Sequence, residues 1–373
     1  MNLELTDEQT LLREAARNAL SRVQTVAAAR EALEDPAALP DLWPTAREAG
    51  WTGLLVSEDQ GGAGLGAFDA ALVMMEAGRV LAGVPLLGHL PASALANRAG
   101  AGDIVAELAD GMRRGCFVPA RPPGDVTTDW TVESRSGSVR APAPTVDGGG
   151  ALHGTVAFVP DAPGADGFVV AATTVAGTAV AVATGGAGDG VIVEPVMRYD
   201  ATRGLGHVTF DGARGVALDA IDADALAGAW YLQQVLLAAE SLGAAETALS
   251  VSVEYAKERF TFGRAIGSYQ AVKHSLVEVL RLRENAYSLL VYAGWAYEDG
   301  RDEFPLAASA ARAAAGHALD YASRAMISVH GGIGATWEHD APLFFRRAQL
   351  SRRLLGGVGD AADRVSGELL SAA

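Results

Sequence analysis

Three textures follow one another along this chain of 373 residues, and their order limits what it can fold into. Up to about residue 116, apolar residues recur at helical spacing. "TDEQTLLREAARNAL" opens with Thr6 as an N-cap and with Glu8 and Gln9 in the first turn, and "LPDLWPTAREAGW" and "DAALVMMEAGRVLA" repeat the pattern. From 117 to 218, Pro and Gly punctuate short runs such as "WTVESR", "GTVAFV", "GFVVAAT", "AVAVAT", "GVIVEPV" and "HVTFDG". Their alternation predicts an antiparallel barrel or sandwich. After "DAIDADALAG" the chain is helical to its end, interrupted only at 263–267 and 331–334 by glycine-bearing stretches. The expected order is a helical domain over 1–116, a β domain over 117–218 and a helical bundle over 219–373.

Composition removes several functions. Half the residues are hydrophobic and the net charge is −16, which leaves no dense basic face for nucleic acid and disfavours anionic lipid. A lone cysteine, Cys116, cannot build an internal disulfide framework and fits a reducing cytosol. The N-terminus carries acids early and lacks an apolar signal core, so a cytoplasmic protein is expected. The uncharged run 167–184 invites the question of a membrane span. Thr and Gly dilute it, and Ala176-Gly177 divides it into two Val- and Thr-rich halves, so it reads as a β-hairpin.

Two further segments are ambiguous by type. "GLLVSEDQGGAGLGA" has Gly62, Gly64 and Ala67 at the spacing of a dinucleotide loop. Such a loop should follow a strand directly, whereas here "SEDQ" intervenes, so the segment reads as a helix–helix connection. His330 and His339 have no third ligand at a metal-like spacing, and no metal is expected. "RRAQLSRR" (346–353) reads as a solvated basic helix face.

The segment richest in chemistry is "ERFTFGRAIGSYQAVKH", residues 258–274. Arg259 ends one predicted helix, Phe262-Gly263 form a turn, and Gln270 begins the next helix. A guanidinium at such a corner can grip phosphate, Phe262 offers a flat apolar wall, and the Gln270 amide both donates and accepts. A glycine-capped helical hairpin, with Arg259 at the favourable end of the helix dipole, accounts for the same residues. Both readings stand on the residues alone.

"YAKERFTFGRAIGSYQAVKH" resembles the signature of the acyl-CoA dehydrogenase family, and "VHGGIGATWEHDAPLFFRRAQL" resembles that family's second C-terminal signature. "WTGLLVSEDQGGAGLG" looks like its N-terminal helix connection. The resemblance spans nearly the whole chain, with actinobacterial members among the look-alikes, including subunits of heteromeric enzymes acting on steroid side chains. It implies an α+β fold: an N-terminal helical domain, a middle antiparallel β-barrel, and a C-terminal four-helix bundle carrying the FAD and oligomer interface. It also implies FAD-dependent α,β-dehydrogenation of an acyl-CoA thioester, with electron-transfer flavoprotein or another acceptor, in a homo- or hetero-tetramer. By family matching, Arg259, Phe262 and Gln270 would contact the adenine-diphosphate side of an FAD held mostly by a neighbouring subunit. Gly331 and Gly332 would let backbone approach the cofactor, and one cation of 346–353 would reach a CoA phosphate.

The sequence departs from the family at several places. Ser328 stands where a Gln usually precedes His-Gly-Gly. "FVPARPPGDVTTDW" has nothing equivalent to the usual flavin-contacting strand, and Phe158 and Pro160 replace a Trp and a Thr on a later one. The common catalytic Glu falls on Leu355, and the alternative base position falls on Gln233. Glu240, two turns along the same helical face among small neighbours, is the remaining candidate base. A structural Glu that bonds across the bundle explains it equally well. The surviving residues belong to the half that is donated across a subunit interface, and the lost ones to the half that holds flavin within a subunit. That contrast favours one subunit of a mixed oligomer over a self-sufficient homomer, with a cofactor-free scaffold as the third possibility.

Overall fold

The computed structural model describes residues 4–120, 130–132, 140–197, 199–300 and 302–371. Helices come first: α1 (Asp7–Ser21), α2 (Thr25–Glu31), α3 (Trp43–Glu48), α4 (Ala67–Arg79), α5 (Leu86–Ala99) and α6 (Asp103–Ala109). Thr6 caps α1 through a capping box, its hydroxyl accepting from the Gln9 amide while the Gln9 side chain accepts from Thr6. The 61–66 stretch leads from one 3-10 turn into α4 with no strand before it, as expected for a helix connection.

The middle region contains β1 (Gly115–Val118), β2 (Trp130–Val132), β3 (Arg140–Pro142), β4 (Thr145–Val146), β5 (Ala151–Pro160), β6 (Gly167–Thr174), β7 (Ala179–Gly185), β8 (Val191–Pro195) and β9 (Leu205–Ala217). Strands β6 and β7 form the hairpin read from 167–184, in register from Gly167 opposite Gly185 to Thr173 opposite Ala179. The path β6–β4–β5–β9–β7 returns to β6, closing the sheet into a barrel, with β1 and β8 added at its sides. Closure removes most free edges. The barrel is not wholly antiparallel, because β1 and β4 both pair with β6 in parallel. Its interior is filled by Val156, Phe168, Val170, Val208 and Phe210. Cys116 lies there too, fully buried, and burial raises its thiol well above the usual pKa.

The C-terminal region is α7 (Ala223–Glu258), the short hairpin β10 (Phe260–Thr261) and β11 (Arg264–Ala265), then α8 (Gln270–Glu298), α9 (Phe304–His330), α10 (Ala341–Ser351) and α11 (Gly357–Ser371). Asp222 caps α7, accepting from the Ala225 amide at 2.8 Å. By length and composition α7 could cross a membrane, but it is the central core helix, packed on α4, α8 and α9. Its crossing with α4 depends on two glycines. A Cβ on Gly78 would lie 2.0 Å from the Glu240 carbonyl oxygen, and one on Gly243 would lie 1.8 Å from that of Met75. The backbones therefore touch, and the N-terminal helices are pressed onto the bundle.

This close approach makes a prediction. Gly78→Ala forces the helices apart and should lower stability by about 1–3 kcal/mol, the usual cost of overpacking. Chemical denaturation of the variant beside wild type measures it, and an unchanged midpoint would contradict the tight crossing.

Candidate functional site

Two groups of residues merit attention, one at the open end of the bundle and one between its helices and the barrel. At the open end, α7 stops because Arg259 turns to extended backbone, its amide still donating to the Tyr255 carbonyl at 2.9 Å. The two-residue turn Phe262-Gly263 joins β10 to β11 with positive φ at both positions, +51° and +79°. That is the turn type whose twist suits a tight hairpin. Glycine accepts this backbone freely; a phenylalanine holds it at a cost of about 1–2 kcal/mol. Phe262 is nevertheless 94% exposed, so nothing within the chain repays the strain. Arg259 and Gln270, the latter the first residue of α8, are exposed beside it.

The second glycine loop comes to the same end of the bundle. The Tyr255 ring lies 4.3 Å from His330, which lies 4.1 Å from His339, so α7, α9 and the loop before α10 are stitched by three rings. The Nδ1–H of His330 donates to the Met326 carbonyl at 2.7 Å, and Nδ1 of His339 accepts from the Ala341 amide at 3.0 Å. Burial, then the facing His330, holds His339 below its ordinary pKa. Gly331 and Gly332 are exposed, and nothing lies within 4 Å of where a Cβ would stand on either. Ile333 and Trp337 are also exposed, with the Arg346 guanidinium 4.8 Å from the Trp337 ring centre. An accessible cation, an exposed aromatic face, an amide and open backbone thus share one surface. These residues fit the phosphates and rings of a dinucleotide approaching from outside the chain.

The interior group is very different. Glu240 is 1% exposed, and both its oxygens are occupied: Oε2 by Arg203, and Oε1 by Nη1 of Arg347 at 2.6 Å. Arg347 also donates from Nε to Asp200 at 2.6 Å and from Nη2 to the Thr202 hydroxyl, and it lies 3.4 Å from the Leu81 carbonyl. Burial opposes ionisation of Asp200, but Arg347, then the Thr202 hydroxyl, overcome it and hold the carboxyl below its usual pKa. The network joins the α4–α5 turn, the loop before β9, α7 and α10. Glu240 has the bonds expected of a structural carboxylate, and the basic run departs from its expected form. Glu240 is not open to a substrate, because two guanidiniums enclose it. The basic run 346–353 is not a uniformly solvated face, because Arg347 is among the most buried side chains of the chain. Sequence reasoning also missed Asp200 and Arg203. The available signal was Glu240 itself, a single acid in the apolar run "LLAAESLGAA", which demands a buried cation.

The other positions at issue are closed as well. Gln233 is buried and its Nε2 donates to the Leu87 carbonyl at 3.1 Å. Leu355 sits in a left-handed turn, its carbonyl accepting from Gln234 at 3.3 Å. Phe158 occupies a bulge in β5 at φ +57°, its amide donating to His207 at 3.3 Å, and Pro160 ends that strand. The segment "FVPARPPGDVTTDW" falls largely outside the described residues.

Comparison with known proteins gives the geometry its family. Residues 229–360 match the acyl-CoA dehydrogenase C-terminal domain and residues 6–101 the N-terminal domain. The acyl-CoA dehydrogenase IpdE2 of Mycobacterium tuberculosis is 32% identical over 97% of this chain and 98% of its own. The chain belongs to the acyl-CoA dehydrogenase family. That is a family of FAD-dependent oxidoreductases, and its helical, β and helical arrangement is the one described above. The acyl-CoA dehydrogenase FadE34 of M. tuberculosis is 31% identical over 97% of this chain, which spans 48% of that longer protein. Among solved structures, a Tcur3481-Tcur3483 steroid acyl-CoA dehydrogenase variant superposes with a TM-score of 0.85 at 28% identity, covering 98% of each chain.

The buried network makes a prediction for this dehydrogenase-family chain. Arg347→Met leaves Asp200 without its cation and Glu240 with Arg203 alone, and should destabilise by about 3–5 kcal/mol, as breaking one side of a buried pair does. The sign with pH follows from Asp200. Its folded pKa is depressed, so its contribution is present above the ordinary aspartate range, about 3.9, and is lost as pH falls through the lower folded value. Wild type should therefore lose stability in that acid range, and the variant should lose less. Parallel slopes in denaturation between pH 3 and pH 6, values on the order of carboxylate titration, would contradict the assignment.

Proposed function

We propose that this chain is one subunit of a heteromeric acyl-CoA dehydrogenase and completes the FAD site of a related partner. The observation carrying this is the contrast within the chain. The residues matching the donated half of the cofactor site (Arg259, Phe262 and Gln270) are exposed at one end of the bundle, as are Gly331 and Gly332 of the second signature. The positions matching a catalytic base are Leu355, a buried Gln233 and a doubly paired Glu240. Two comparisons support a mixed assembly: the similar steroid acyl-CoA dehydrogenase Tcur3481-Tcur3483 carries a double name, and this chain spans only 48% of FadE34.

In this reading Arg259, Phe262 and Gln270 would hold the cofactor, the guanidinium through its phosphates, the ring through apolar contact and the amide through hydrogen bonds. Gly331 and Gly332 admit its backbone-side approach. FAD, when bound, supplies the hydride acceptor for oxidation of the Cα–Cβ bond of an acyl-CoA thioester. The α proton passes to a carboxylate of the partner. Arg203, Arg347 and Asp200 keep this chain's own interior rigid and dry, so the surface offered to the partner is held in place. Electron-transfer flavoprotein or a similar acceptor reoxidises the assembly, which is a hetero-tetramer of two such pairs.

Two substitutions test it. Arg259→Ala removes a charge-assisted contact of about 1.5–3 kcal/mol, so flavin retained by the purified assembly should weaken roughly tenfold or more with helical content unchanged. Unaltered retention, read by flavin absorbance, would return the loop to a capped hairpin. Glu240→Gln should lower thermal stability yet leave the rate of flavin reduction by acyl-CoA within a few-fold of wild type. A loss of about 10²–10⁴-fold, typical for removing a general base, would instead make Glu240 the base of a self-sufficient homomer.

A further inference from the structure

Behind Leu355, on the far side of the charge network, lies a second buried guanidinium that the proposed function does not use. Arg312 of α9 is 0% exposed. Its Nη2 donates to the Ser351 carbonyl and reaches the Leu354 carbonyl at 3.3 Å, while Nε and Nη1 have no acceptor among the described residues. No carboxylate among the described residues lies within ion-pair distance of it, and the nearest charged neighbours that act on it are Arg203, which repels it, and Glu240, which is already engaged. Burial, then Arg203, pulls its pKa down to about 10, so it remains cationic at neutral pH.

Other unmatched groups surround the same turn. The Ser351 hydroxyl is buried without a partner, although its carbonyl is held by Arg312. Gln234 donates to the Leu355 carbonyl, which leaves its Oε1 buried and unpaired, and Nε of Arg203 is in the same condition. A buried cation and a hydroxyl with unused donors, beside an amide oxygen with an unused lone pair, is an expensive arrangement unless something polar and anionic joins it. A further cation lies on α11. Arg364, nine residues after Leu355 and 17% exposed, donates to the Tyr231 hydroxyl at 2.8 Å, and Tyr231 is one helical turn before Gln234.

We propose that Arg312, Ser351 and Gln234 form a receptor for a carboxylate group. The carboxylate oxygens accept from Arg312 and from the Ser351 hydroxyl, and a donor on the same ligand, or a water carried with it, satisfies Gln234. The carboxylate has two possible sources, the far end of an acyl group carried on CoA or a free small acid, and the chemistry of recognition is the same for both.

The experiment uses the full chain and needs neither flavin nor turnover, so it stands whether or not the heteromeric reading does. Thermal unfolding is followed against acetate and glutarate at constant ionic strength, with acetamide as the uncharged control. Saturable stabilisation by the acids and none by acetamide is expected. Arg312→Gln should abolish it. Because that variant also frees two backbone carbonyls, Ser351→Ala serves as the milder test and should weaken binding several-fold in a normally folded chain. Glutaryl-CoA and butyryl-CoA separate the sources: at least tenfold tighter binding of glutaryl-CoA, lost in Ser351→Ala, assigns the acyl group, and equal binding with acetate still saturating assigns a free acid. Equal effects of acetate and acetamide, or undiminished acetate binding in both variants, would overturn the proposal and leave bound water as the partner of Arg312.

Discussion

The contact of Arg347 with Glu240 and Asp200 is the point at which the three parts of this chain meet. One guanidinium on α10 reaches a carboxylate on the central helix, a carboxylate and hydroxyl in the loop entering β9, and a carbonyl of the turn after α4. Such a group is costly to bury, and isolated it would be destabilising. With each charge matched, it fixes relative placement more narrowly than apolar packing does, since a shift of a fraction of an ångström breaks several directional bonds at once. The glycine crossing of α4 and α7 sits beside it, so the N-terminal helices, the barrel and the bundle share one anchored centre.

That rigid centre and the exposed bundle end divide the molecule's chemistry. Around Glu240 every strong hydrogen-bonding group is turned inward. Around Phe262 the opposite holds: strained backbone and apolar surface face outward with no cover from the same chain. Strain that nothing local repays is commonly found where another molecule completes the structure. The segment that resembles the family's cofactor signature lies on that outward end, where a second subunit would meet it.

Much of the fold was legible because its signals are local. The Thr6 cap, the hairpin at 167–184, the end of α7 at Arg259 and the start of α8 at Gln270 each follow from a few neighbouring residues. Pairing at a distance was not legible. Parallel addition of β1 and β4 to β6 depends on where the chain returns in space, not on alternation within a strand. The same limit explains the interior network. "RRAQLSRR" presents four arginines to a reader of sequence, and only the helix's rotation against α7 decides that Arg347 points inward while Arg346 meets Trp337. Glu240 was singled out correctly as unusual, yet its partners come from residues 107 positions later and 37 earlier in the chain.

The turn at Leu355 has a bearing on how such a chain can change over generations. Its backbone is left-handed, its carbonyl is tied to Gln234, and the carbonyl before it is gripped by Arg312. An acid introduced at 355 would stand next in sequence to the carbonyl that Arg312 reaches, and that buried guanidinium has no carboxylate partner among the described residues. The two would pair, and a paired carboxylate is a feeble proton acceptor. A working base at 355 would then require a second change at 312. One substitution at this turn is therefore too few to give the chain a base of its own.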